Sequence, residues 1–244
     1  MRDAFFYTMP RILHIETATE VCSVALSHTN GKLLGMEEDN SGFAHAEKLT
    51  VLIDALMKKT AVEFSQLDAV SVSYGPGSYT GLRIGMSAAK GFCYALNIPL
   101  ITISTLQAMA AGALHLRDVE NLFLQPGVLL CPMIDARRME VYSAFYNKEL
   151  KEVRSASADI IDETSYSDFL KQNKLLFFGN GAAKCKPVLA PKANTYFFDE
   201  YQTSATNMVL LAHAAFKEKK IANLAYSEPF YLKDFQAGKM KENV

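Results

Sequence analysis

From residue 11 the apolar positions come in short blocks, and the spacing then opens to the three-to-four-residue beat of a helix. Residues 11–15 form a brief apolar run, and residues 21–26 a second one rich in β-forming side chains. Asn30-Gly31 then separates 21–26 from 32–38, a strong hairpin signal. Ser41-Gly42 breaks the chain. Beyond it Leu49, Leu52, Ile53 and Leu56 fall at helical spacing, with Glu47 and Lys58 opposite, which predicts a helix over 45–59. A strand over 69–73, a glycine-rich loop, a helix over 82–96, a strand over 100–103 and a helix to about residue 116 complete this half.

The second half repeats the order. Residues 128–134 read as a buried strand, and 141–146 with 150–155 as a hairpin around Asn147-Lys148-Glu149. A helix is expected over 164–173 and strands over 175–178 and 195–198. A closing helix is expected over 204–220, with Met208, Leu211, Ala212, Ala215 and Phe216 on one stripe. A three-strand meander followed by alternating helices and strands, occurring twice, resembles the duplicated ribonuclease-H-like unit of actin, the heat-shock chaperones of that class and the sugar kinases. The alternative is one α/β sheet whose halves match by chance; agreement of order and spacing element by element favours duplication. The resulting expectation is an α/β chain with two actin-like domains, 10–124 and 125–222, each with a mixed five-stranded sheet. The break falls near Gln125-Pro126-Gly127, and a tail follows over 223–244.

Composition narrows the function classes. Half of the 244 residues are hydrophobic and 21% are charged, the balance of a folded globular protein. The formal net charge of -1 gives no global basic field toward nucleic acid or membrane. Cys22, Cys93, Cys131 and Cys185 form no CxxC pair, so reduced thiols in a cytoplasmic protein are expected. No apolar run reaches the roughly 18 residues of a membrane helix. The apolar start at residues 4–7 is too short for a signal-peptide core, and Pro10 follows almost at once. Residues 1–9 are expected to be a disordered extension, with Met9 a candidate start, and residues 233–244 a polar, mobile tail.

The sharpest local motif is Gly75-Pro76-Gly77-Ser78-Tyr79-Thr80-Gly81-Leu82-Arg83-Ile84-Gly85. A strand ends in a tight turn and a helix begins, with Ser78 or Thr80 able to cap it. Free N–H groups at such a start can hold an anion, but the GK[ST] ending of a P-loop is absent. Glycines that let helix and sheet pack closely are the favoured reading. Over 82–96 the only charges are Arg83 and Lys90, while Gly85, Ala88, Ala89 and Gly91 make one side smooth. Such a helix is buried on both sides. Either it lies inside a three-layer domain, or its smooth side joins the 45–59 helix against a second subunit, which the pattern favours.

Two bends, at Glu16-Thr17-Ala18-Thr19-Glu20 and Asp135-Ala136-Arg137-Arg138-Met139-Glu140, stand where actin-class ATPases hold phosphates and a magnesium ion. Glu16 and Asp135 keep the acid, yet the bends lack glycine, so a solvated turn acid is the expected role of each. Gly179-Asn180-Gly181 resembles the glycine pair that cradles adenosine in that class; a plain loop is the alternative. These four residues, Glu16, Asp135, Gly179 and Gly181, are the weak nucleotide-site candidates. The histidines His14, His28, His45, His115 and His213 include no pair at three- or four-residue spacing. There is no H-E-x-x-H and no G-x-S-x-G, so neither a metal site nor a catalytic nucleophile is expected.

Taken together, several blocks resemble the TsaB (YeaZ) family. They are the run from Ile12 to Leu26, His45 with Leu49 and Leu52, the Gly75 to Gly85 segment, Ser104-Thr105-Leu106, Ile134-Asp135-Ala136-Arg137 with Glu140-Val141-Tyr142, and Pro229-Phe230-Tyr231-Leu232. Glu16 stands where many members have aspartate, a conservative change. The resemblance implies a noncatalytic homologue of the catalytic TsaD subunit, which transfers threonylcarbamoyl to N6 of adenosine 37 in tRNA. It implies docking on a TsaD-type partner through the first-domain helices, at His45, Leu49, Leu52, Arg83, Gly85, Ala88, Ala89 and Phe92. A TsaE-type ATPase would be the third partner, tRNA would be reached through the complex, and the isolated chain would form a homodimer on the same surface. No tightly bound cofactor is expected, with ATP or ADP only at a complex interface. The competing readings are an actin-class small-molecule kinase or ATPase and, least supported, a glycoprotease-type metallopeptidase.

Overall fold

The computed structural model describes residues 10–28, 31–42, 44–123 and 125–233. The expected extension over 1–9, the Asn30 turn and the tail beyond 233 lie outside the described residues. The first half comprises β1 (Ile12–Glu16), β2 (Cys22–His28), β3 (Lys32–Asp39), α1 (His45–Thr60), β4 (Ala69–Gly75), α2 (Tyr79–Leu96), β5 (Leu100–Ser104), α3 (Thr105–Ala113) and α4 (Arg117–Leu122). The second comprises β6 (Val128–Asp135), β7 (Glu140–Tyr146), β8 (Glu152–Ile160), α5 (Ser167–Leu170), β9 (Lys174–Phe178), α6 (Ala182–Leu189), β10 (Thr195–Phe198) and α7 (Val209–Lys217). The strand orders are β3-β2-β1-β4-β5 and β10-β9-β6-β7-β8. Each sheet is an antiparallel meander extended by parallel strands on the side of its first strand. The two halves share one topology, the duplicated actin-class arrangement expected from the pattern.

Three elements depart from the sequence reading, each for a local reason. The helix expected over 164–173 shrinks to α5 because the Asp162 side chain accepts from Thr164 and Ser165, and Tyr166 turns left-handed at φ 63°. Short polar side chains of this kind compete with the helix for backbone groups. The strand expected over 150–155 starts later and runs further, as β8, because Asn147 holds the turn by accepting from the Glu149 and Lys151 N–H groups. The closing helix over 204–220 splits into a 3-10 turn, Ala205–Met208, and α7. Helices α4 and α6 had no clear periodic signal; α6 is short and carries Pro187.

Alternation along the strands sends two sets of side chains to opposite faces. Leu13, Ile15, Val24, Val70 and Val72 pack on one face against Leu49, Ile53 and Leu56 of α1 and Met86 and Ala89 of α2. Ile12, Ala25, Ala69, Ile101 and Ile103 on the other face meet Met208, Ala212 and Phe216 from the end of the chain. Reciprocally, α3 places Leu106, Met109, Ala110 and Ala113 on Leu130, Ile134, Ala144 and Phe178 of the second sheet. Each half therefore lends its closing helix to the other's sheet, and the opposed edges of the two halves form a cleft. Among the described residues no helix is long and apolar enough to cross a membrane.

Candidate functional site

The cleft has a volume of about 620 Å³. On the first side it is lined by Ala18, Thr19, Glu20 and the Pro76 to Thr80 segment, and on the second by Asp135, Ala136, Arg137, Tyr142 and Asn180. Its third wall is the chain after α7. Lys90 of α2 donates to the Ala225 and Ser227 carbonyls at 3.1 Å each. The Phe230 N–H donates to the Tyr74 carbonyl at 2.7 Å, and Tyr231 packs on Tyr79 with ring centroids 5.0 Å apart. Lys233 then reaches the other half through an ion pair with Glu140 at 2.5 Å. A second link crosses the cleft where the Asn180 amide donates to Glu20 at 2.7 Å while its oxygen accepts from the Asp135 N–H at 3.0 Å. The sequence marks Asn180 through the Gly179-Asn180-Gly181 motif and the crossing segment through the Pro229 to Leu232 block, but neither the bridge nor the crossing itself is legible from it.

The first bend is nailed to the helices beneath it. Thr17 donates its hydroxyl to the Gly81 carbonyl at 2.8 Å, and the Ala18 carbonyl accepts from the Ser78 N–H at 2.7 Å. The Thr19 carbonyl lies 2.8 Å from Nε2 of His45. Ser78 caps α2 by accepting from the Gly81 N–H at 3.3 Å. The Ser78 and Gly81 N–H groups at the start of α2 are thus taken by the protein itself. Glycine explains the closeness: a methyl group at Gly77 would meet Ala18, and one at Gly81 or Gly85 would meet Thr17. Close packing of helix on bend is what these glycines serve.

Glu16 does not behave as the solvated turn acid expected of it. It is fully buried, and its Oε1 accepts from the Ala18 N–H at 2.6 Å and the Ser73 hydroxyl at 2.9 Å. Burial raises its carboxyl to about 7 against the opposing pull of hydrogen bonds from the Ala18 and Thr17 backbone and the Ser73 hydroxyl. Asp135, by contrast, is exposed as expected. It accepts from the Arg137 N–H at 2.6 Å and pairs with Lys184 at 2.7 Å. Gly179 and Gly181 are pressed against Met133 and the Ile134–Asp135 peptide, so a side chain at either would strike the protein's own backbone. Of the four nucleotide-site candidates only Asp135 lines the cleft. A magnesium-bound nucleotide, which the actin class would imply, does not fit this donor set: one acid is sealed and the other is held by a lysine. Among the described residues no three His, Cys, Asp or Glu side chains are placed to hold a metal ion.

The residues expected at a partner surface divide. His45, Leu49, Gly85 and Ala89 are buried inside the chain, which corrects their reading as contact residues: they support α1 and α2 from within. Leu52, Ala88 and Phe92 are half-buried, and Phe92 stacks on Phe64 at 5.5 Å. Arg83 is exposed and donates to the Tyr79 hydroxyl at 2.5 Å. The outward face instead carries Ser87, Gly91, Tyr94 and Ala95 of α2 and Val51 and Ala55 of α1. Tyr94 is 82% exposed and Val51 61%, and a side chain at Gly91 would meet open space. Of the side expected to be smooth, Gly91 faces outward and Ala88 is half-buried, while Gly85 and Ala89 turn inward.

Comparison with known proteins gives a consistent result. The family model for TsaD, tRNA N6-adenosine threonylcarbamoyltransferase, matches residues 39–241. The tRNA threonylcarbamoyladenosine biosynthesis protein TsaB of Haemophilus influenzae is 30% identical over 234 residues, which span 91% of this chain and 93% of that protein. The TsaB protein of Bacillus subtilis is 28% identical over 196 residues, 78% of this chain and 80% of its own. The solved structure of YeaZ from Pseudomonas aeruginosa superposes with a TM-score of 0.72 at 24% identity, covering 92% of this chain and all of that one.

Proposed function

This chain belongs to the TsaB family and serves tRNA threonylcarbamoyladenosine biosynthesis, and we propose that it does so as a noncatalytic scaffold for a TsaD-type catalytic subunit. The observation that carries this reading is the outward face of α1 and α2. Ser87, Gly91 and Ala95 repeat every four residues along α2 as one exposed strip of small residues with Tyr94 beside it, and α1 exposes Val51. Small residues let a second helix approach closely, and exposed tyrosines are the side chains that anchor interfaces once buried. The match of the TsaD family model to most of the chain supports a partner of the same fold, so that two homologous halves meet through equivalent helices. In this reading a TsaE-type ATPase joins as third component, tRNA is reached through the complex, and any ATP or ADP sits where subunits meet. The isolated chain forms a homodimer on the same strip, displaced by the catalytic partner.

The test is co-purification with the same organism's TsaD homologue, native chain against Gly91→Arg. Gly91 is the informative position because its substitution meets no atom of the chain, and replacing a mid-helix glycine stabilises the helix by roughly 0.5–1 kcal/mol. The expected result is loss of the complex with an undiminished melting temperature. A complex that survives Gly91→Arg would remove this face from the proposal.

A further inference from the structure

Glu16 is the acid that stands at the metal position of the actin class, yet nothing about its surroundings suits a metal. It closes β1, directly ahead of the bend, with no exposed surface, and it is absent from the cleft lining. Its Oε1 is saturated by two donors, while Oε2 has no hydrogen-bond partner among the described residues. A magnesium ion needs a shell of about six oxygens that includes waters, and the space beside Glu16 is filled by Ser73, Thr17 and Ala18. An ionised carboxylate with one oxygen unpartnered in such a place is costly, and a neutral acid is far less so.

The neighbours agree. The titratable groups coupled to Glu16 are the Cys22 thiol on β2 and the Tyr201 hydroxyl ahead of the closing 3-10 turn. Both are held protonated by burial, Cys22 up to about 11 and Tyr201 well above the ordinary phenol range. On Glu16's own strand His14, also buried, is pushed down to about 3 and stays neutral. From α1, His45 reaches the bend through the Thr19 carbonyl, 2.8 Å from its Nε2. Cys22, Tyr201 and His14 thus stand near Glu16 as neutral groups, and none of the three supplies a positive charge that would hold it ionised.

We propose that Glu16 is a proton-carrying structural acid that replaces a metal–phosphate contact: as the neutral carboxyl it ties the first bend to β4 and seats it on the start of α2. The bend then holds its shape without nucleotide, and the proton does locally what a bound cation does in the working ATPases of this fold.

The experiment compares native chain with Glu16→Gln, an isostere of the neutral acid, by thermal unfolding from about pH 5 to pH 8, with and without magnesium and ATP as probe. The expected result is a melting-temperature gain for Glu16→Gln that is small near pH 5, grows toward pH 7 and is constant above it. Magnesium with ATP leaves both proteins unmoved. A gain that does not vary with pH overturns the proposal, and so does stabilisation of the native chain alone by magnesium and ATP. Carbon-13 carboxyl labelling of glutamate reads the same question without substitution. One glutamate titrating near 7 supports the assignment, and every glutamate titrating near the ordinary 4.5 removes it. This result is independent of the partner surface on α1 and α2, so failure of either reading leaves the other standing.

Discussion

The two bends occupy equivalent places in two copies of one topology, and they have opposite fates. At the first, Glu16 is sealed, its carbonyl neighbours fill the start of α2, and three glycines bring helix and bend into contact. At the second, Asp135 stays in water, Arg137 and Arg138 adopt left-handed φ of 72° and 47°, and Asp135 is tied to Lys184. A left-handed turn built from arginines and not glycine is costly by about 1 kcal/mol or more per residue. The difference lies in what packs beneath. A long helix with glycines at 81 and 85, led in by Gly77, presses on the first bend, whereas the short α6 lies beside the second. Position in a duplicated fold therefore does not determine a residue's role; the packing under it does.

The strongest way to break that contrast is to force the first bend off its helix. Gly85→Arg puts a side chain where the Thr17 hydroxyl sits and drives a charge into a buried seam. Overpacking together with an unpaired buried charge is expected to cost more than about 4 kcal/mol. Urea denaturation should show the chain unfolded or nearly so under conditions in which Gly91→Arg, on the outer face of the same helix, is as stable as native. A well-folded Gly85→Arg would mean that bend and helix are not mutually locked.

Proton linkage sharpens the contrast, because the first half buries two titrating groups of opposite sense on one strand. His14 is clamped between Ser71 at 2.6 Å and Ser27 at 2.7 Å, and Ser27 continues to His213 at 2.8 Å. Its pKa drops from 6.5 to about 3, chiefly by desolvation. In the unfolded chain it takes a proton below 6.5, so its contribution is complete above 6.5 and is lost as pH falls toward 3. Half-buried His213, also lowered, adds in the same direction. Glu16 does the reverse. Its pKa is raised from 4.5 to about 7, so its contribution is complete below 4.5 and is lost as pH rises to 7. Between about 4.5 and 6.5 the two oppose each other. His14→Gln removes the stronger of the two histidine contributions that oppose Glu16, so stability is expected to change with rising pH across that window more negatively than in the native chain, by up to about 1.4 kcal/mol per unit. Urea unfolding at a series of pH values measures it; a variant whose slope equals that of native would overturn the assigned contribution of His14.

Most of the framework was legible because strand periodicity and helix periodicity survive wherever a face is buried. Leu49, Ile53 and Leu56 announce α1, and the apolar runs at 12–15 and 128–134 announce the central strands. What stayed illegible was which way a mixed surface points. Gly85 and Gly91 are identical letters on one helix, yet one presses on Thr17 and the other meets open space. A sequence reports size and polarity at each, but the direction is set by contacts with a bend some seventy residues earlier. Glu16 was misread for a similar reason. An acid after a strand looks like a turn residue, and only the register against Ser73 on β4 shows that it is enclosed.

The smallest expected effect tests the open bend. Asp135 makes three polar contacts, with the Arg137 N–H, Lys184 and, through its own N–H, Asn180. Only the first two involve its side chain. Lys184 keeps a second partner in the Glu140 carbonyl at 2.6 Å, and the Asn180 bridge to Glu20 does not depend on the carboxylate. The ion pair is partly exposed and screened by solvent, so Asp135→Ala is expected to cost less than about 1 kcal/mol. That corresponds to a melting-temperature change of no more than roughly 2–4 °C. It should also leave partner binding intact, since Asp135 lies on the cleft and not on the outward strip of α2. A loss comparable to that of Gly85→Arg would show that the second bend is as locked as the first and that the asymmetry drawn between the two halves is mistaken.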